Sequence, residues 1–199
     1  YQILWGLLYF YPPISDKLPK HSISINNLKH SANRYLILCI KERNLVKEDK
    51  NGVFKVQNIE VLKTEISSIQ KKLPKYLYNP SEQQYENIKP SLFSKLLSFT
   101  GILGYYNPFT SEAQYNSQLP DTKIPFTMCH ENAHQLGFAR EQEANFIGYL
   151  IGNKSENIEL NYSAHYFVLK SLLYAIEAND PEFVKNSIHQ FSDAMKRDL

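Results

Sequence analysis

The chain is poor in cysteine. Cys39 and Cys129 permit at most one internal disulfide, and their spacing excludes a Cys-x-x-Cys metal or redox site. Cys129 directly precedes a histidine, but adjacent helical residues point about 100° apart, so it is expected to be a small core residue rather than a ligand. The chain also lacks any run of five or more Lys or Arg, and its formal net charge is only +2. Nucleic acid is therefore not an expected partner. Gly/Ser linkers, low-complexity tracts and internal repeats are absent as well, so residues 1–199 are expected to form a single domain. With 43% hydrophobic and 21% charged residues the composition is that of a folded globular chain.

No apolar run reaches the roughly 20 residues of a membrane-spanning helix. Residues 1–11 (YQILWGLLYFY) come closest, with Gln2 as the one strongly polar side chain and an aromatic border typical of a bilayer interface. They read either as the juxtamembrane end of an upstream transmembrane segment or as a first core helix.

Elsewhere the periodicity is helical. Leu28, Ala32, Tyr35, Leu36 and Cys39 share one face over residues 26–43, and Ile59, Leu62, Ile66, Ile69 and Leu73 share another until Pro74. Residues 76–90 are polar and bounded by proline, a loop. A short apolar helix is expected over 91–99, ending at Gly101. Residues 101–125 hold two glycines and three prolines without a helical period, and predict an ordered loop with one short strand around 109–115. From Phe126 onward the pattern is helical, interrupted near Gly137, at 152–159 and at Asn179-Asp180, where Asp180 can cap a helix with Pro181 in its first turn. The expected fold is mainly α, with little or no β-strand.

Chemistry concentrates in His130-Glu131-Asn132-Ala133-His134. Histidines four apart lie one turn apart on one helix face and can grip a single metal ion, for which Zn2+ is the expected identity. Glu131, beside the first of them, is placed to serve as general base. Catalytic zinc usually takes a third protein ligand, and the helix expected after Gly137 offers Glu141 and Glu143. These point about 200° apart, so only one can join the histidines. Glu141 and Asn145 resemble the Glu-x-x-x-Asp helix of gluzincin peptidases, a resemblance that implies Glu141 as ligand and Asn145 as support for the first histidine helix. Glu143 remains the alternative. Arg140 stands where metzincins place a third histidine, which argues against that family.

The chain further resembles a bacterial family of membrane-anchored proteins known as domain of unknown function 3810. The resemblance is carried by Trp5-Gly6, Gly101-Ile102, residues 106–110, Glu112-Ala113, residues 125–127, the His130 to Gln135 motif, residues 137–139, Glu141, residues 143–146 and Tyr162-Ser163. It implies transmembrane helices upstream and a zinc metallopeptidase activity on a peptide or protein substrate, in a zincin-like helical domain, with the side of the membrane undetermined. Tyr162, His165 and Tyr166 are candidate oxyanion donors, and the resemblance favours Tyr162. Related metallopeptidases run a strand along the cleft, which makes Glu112 and Asn116 candidate cleft residues. The competing expectation is a non-catalytic, metal-stabilised helical module for protein–protein interaction.

Overall fold

Side chains that satisfy free backbone N–H groups mark where the helices begin. In the computed structural model, which describes residues 6–20, 22–77 and 87–199, Ser24 accepts from Asn27 N to open α1 (Ile25–Arg43), and Asn58 accepts from Glu60 N and Val61 N to open α2 (Ile59–Gln70). The apolar face expected for α2 is the one it buries. Leu62, Ile66 and Ile69 are fully enclosed, each worth about 1.5–3 kcal/mol over the exposed state. Helix α3 (Ser94–Thr100) stops at Gly101, whose φ of 72° suits glycine.

Next come α4 (Ile124–Gln135), α5 (Glu141–Lys154) and α6 (Ile158–Glu177), then α7 (Pro181–His189), capped by Asp180, and α8 (Asp193–Arg197). Helix α4 packs most closely on α5, and α1 on α6. Approach of α5 to α4 depends on Gly148, where a Cβ would lie 3.1 Å from His130 N. Behind this layer Arg43, almost fully buried, pairs with Asp198, which also accepts from Phe54 N and Tyr162 Oη. That cluster ties α1, α6 and the residue after α8 together.

Helix dominates, as expected, but a three-stranded sheet stands where little or no strand was anticipated. Its strands are β1 (Ile88–Pro90), β2 (Gly104–Asn107) and β3 (Glu112–Tyr115), in the order β1-β3-β2. β3 runs parallel to β1 and antiparallel to β2, with Tyr105 opposite Gln114. Strands of three or four residues are too short to show an alternating pattern, which is why residues 101–125 read as loop. The expected loop at 76–90 lies largely outside the described residues, and its last three residues form β1.

Residues 1–5 of the aromatic run also lie outside the described residues. Its remainder forms a 3-10 turn at Leu7–Phe10, and a second such turn follows at Ile14–Lys17. Tyr9 Oη donates to Ala139 O, while Arg140 donates to Tyr9 O and Tyr11 O. The segment therefore braces the turn that leads into α5. Among the described residues no helix is long and apolar enough to cross a membrane. Both cysteines are buried and free.

Candidate metal centre

Every residue of α4 except His130 is buried, although the helix carries Glu131, Asn132, His134 and Gln135. Burying that much polarity costs stability unless each group finds a partner, so the partners are informative. Asn132 donates to Gln135 Oε1 and accepts from Gln70 Nε2, and Gln135 donates to Ser111 O. Those residues hold the helix in its surroundings. The histidines are arranged otherwise.

His130 Nδ1 lies 2.9 Å from Asn145 Oδ1, and His134 Nδ1 lies 2.7 Å from Phe138 O. Both partners are carbonyl-type acceptors, so each Nδ1 carries the proton and each Nε2 of the neutral ring presents a lone pair. Burial holds both imidazoles below the ordinary histidine range, His130 being lowered further by His134. The two Nε2 atoms face one carboxylate. Glu141 Oε2 is 3.2 Å from His130 Nε2, and Glu141 Oε1 is 3.4 Å from His134 Nε2. Such a cluster of two imidazoles and a carboxylate could hold a metal ion.

Tetrahedral ligands about 2.05 Å from zinc stand about 3.3 Å from one another. One ligand atom from each of His130, His134 and Glu141 lies within 4.8 Å of the others. The donor set is therefore one that zinc takes, and the two nitrogen–oxygen distances lie near its ligand spacing.

Gly137, at φ 98°, reverses the chain between the two helices and brings Glu141 of α5 back over the histidines of α4. Its carboxylate is 69% exposed and opens toward the cavity. Glu143, the alternative ligand, points elsewhere. It accepts from Ile14 N and pairs with Arg140, and so anchors the N-terminal segment. Asn145, one turn beyond Glu141, places its Oδ1 at His130 Nδ1.

Glu131 is 4% exposed and its Oε2 has no hydrogen-bond partner. Burial, and then the charge of Glu141, push its carboxyl well above the usual range. Strand β2 lies directly against it, since a Cβ on Gly104 would fall 2.6 Å from Glu131 Oε1 and 2.7 Å from Gln114 O. The absence of a side chain at Gly104 is what lets strand and carboxylate meet.

A cavity of about 700 Å³ runs from this cluster between α4, α6 and β2. The rings of Phe126 and Phe167 stack at 3.8 Å along it, and Lys123 and Lys170 also line it. Lys170 Nζ sits 4.4 Å above the Tyr166 ring. Burial, and secondarily Lys123, pull its ammonium down to about 8.

Three expected site residues are not in this cavity. Tyr162 is wholly buried one turn before Tyr166, its ring stacked on that residue's, and its hydroxyl donates to Asp198 at 2.8 Å, so it serves the core and not an oxyanion. Glu112 is held by Lys89 at 2.7 Å and by Gln114, and does not line the cavity. Asn116 is buried, donating to Ser98 Oγ and Ile102 O and accepting from Gln118 N, which orders the turn after β3. The strand along the cleft is β2, one strand earlier in the chain than Glu112 suggested. His165 is likewise structural, set between Glu42 and Asn153.

Gly104 and Lys170 escaped the sequence reading. Lys170 falls one turn after Tyr166, so the helical period alone places it near that residue's face. Gly104 had no local signal, because what it approaches is 27 residues away in the chain.

No curated protein and no solved structure matches the chain. One family profile does, from residue 1 to residue 199, and the chain belongs to that family, described as Protein of unknown function (DUF3810).

Proposed function

We propose that this chain is a zinc metallopeptidase of the His-Glu-x-x-His type, built on a zincin-like helical domain and tethered to a membrane through its N-terminal side. The observation that carries the reading is the meeting of two imidazole nitrogens with the Glu141 carboxylate, a donor set of the kind zinc takes. Zinc bound there supplies Lewis-acid polarisation of a peptide carbonyl and a lowered pKa for a water at the open position.

The remaining work falls to the chain itself. Asn145 and Phe138 O fix the two rings by holding their Nδ1 protons. Glu131 Oε2, buried and without a partner, takes a proton from the attacking water and returns it to the leaving amine. A purely structural metal site has no use for an unpaired buried carboxylate, which favours catalysis over the non-catalytic module. Among the described residues strand β2 pairs only with β3, and it borders the cavity, so an extended peptide can be aligned along its other edge. The exposed Leu7, Phe10 and Tyr11 suit a position near a bilayer.

Elemental analysis after dialysis against metal-free buffer tests the site. The expected result is about one zinc per wild-type chain, lost in Glu141→Ala and kept in Glu143→Ala. Cleavage of a broad peptide library by zinc-loaded wild type, abolished in Glu131→Gln, tests the chemistry. A fully loaded protein that cleaves none of the library would sink the peptidase, and a chain that takes up no zinc would sink both metal readings.

A further inference from the structure

The two ends of the cavity differ in charge. Glu131 and Glu141 stand at the metal end, whereas Lys123 and Lys170 line the same cavity with no carboxylate paired to either among the described residues. Lys170 is the more telling of the two. It is partly buried against the Tyr166 ring, a position that costs an ammonium hydration and gives it only a cation–π contact in return. A lysine needed only for solubility would extend into water.

The separation follows from helix geometry. Lys123 caps α4 and His130 lies seven residues along it, about 10 Å at 1.5 Å per residue. Three residues of extended peptide span about the same length. Between the two poles lie the stacked Phe126 and Phe167 rings, an apolar floor for the intervening side chains.

We propose that Lys170, flanked by Lys123, forms a subsite for a carboxylate of the substrate, displaced along the cavity from the bond that is cut. That carboxylate is either the peptide's own C-terminus or the side chain of an Asp or Glu, since both present the same two oxygens to the ammonium. The inference rests on the peptidase reading for what the bound peptide undergoes, while the binding itself can be measured without turnover.

The test compares three pools of short fluorescein-labelled peptides, followed by anisotropy on the full chain carrying Glu131→Gln. One pool ends in a free acid, one in an amide with no acidic residue, and one in an amide with a single Glu. At least one carboxylate pool is expected to bind about tenfold or more tighter than the neutral pool, the gain typical of a charge-assisted hydrogen bond. Preference for the free-acid pool alone identifies the C-terminus, and preference for the Glu pool alone identifies a side chain. The gap closes in Lys170→Met and persists in Lys170→Arg. Lys123 is exposed, so Lys123→Met keeps the fold and is expected to narrow the gap as a second reading. Equal binding of the three pools, no binding of any, or a gap unchanged in Lys170→Met overturns the subsite. Zinc content and wild-type cleavage of the neutral pool report on the peptidase separately, so either idea can fail alone.

Discussion

Gly104→Ala is the sharpest probe of the architecture around Glu131. The added Cβ would lie 2.6 Å from Glu131 Oε1, 2.7 Å from its Cγ and 2.7 Å from Gln114 O, where ordinary contact begins near 3.4 Å. Something must therefore move by about 0.7–0.8 Å, and neither neighbour moves freely. Gln114 O belongs to the ladder that pairs β3 with β2, and the Glu131 side chain is enclosed by α4's own packing. Overpacking of this kind costs about 1–3 kcal/mol, which lowers the melting temperature of a domain this size by roughly 2–12 °C. Displacing a general base by close to 1 Å costs about a hundredfold in rate. None of His130, His134 and Glu141 supplies the three atoms nearest the new methyl, so zinc content should stay at the wild-type level. The assay is thus a thermal melt, a metal analysis and a rate on one variant, with destabilisation and lost cleavage expected alongside full metal. A Gly104→Ala protein that melts and cleaves like wild type would refute the close approach of β2 to Glu131.

Three further outcomes are expected. Asn145→Ala frees the Nδ1 proton of His130 and should weaken zinc binding about 10–100-fold in a chelator competition, and unchanged affinity would remove Asn145 from the site. Tyr162→Phe deletes one bond to a buried carboxylate and should cost about 2 kcal/mol in denaturant unfolding with cleavage unaltered, whereas a lost rate with unchanged stability would return Tyr162 to catalysis. Lys170, at about 8 in the fold against 10.5 when unfolded, sheds its proton first in the native state, so its charge costs stability near pH 7 and the cost fades as pH rises from about 8 through 10.5. Lys170→Met should accordingly melt above wild type near pH 7, with the difference shrinking by about pH 10, and a difference independent of pH would contradict the burial of this ammonium.

Local chemistry made most of the helical framework legible. The faces of α1 and α2, the stop at Gly101, the Asp180 cap and the reversal at Gly137 are each set by residues within one or two turns of where they act. The His130 and His134 pair was legible for the same reason, because the helix repeat alone puts them on one face. The sheet was not, since strands of three and four residues carry too little pattern and β1 and β3 pair across some 25 positions of chain. Between Glu141 and Glu143 the sequence left the ligand open on geometry. Packing separates the two, giving Glu143 the backbone of Ile14 and Arg140 as partners and leaving Glu141 beside the two imidazoles. Tyr162 and Tyr166 show the same limit, because they lie one turn apart with stacked rings, and only the packing of the other elements gives the Tyr162 hydroxyl to Asp198 while Tyr166 borders the cavity. A sequence determines the spacing of groups along an element by covalent and helical geometry, whereas the direction each group faces is fixed only when the other elements pack against it.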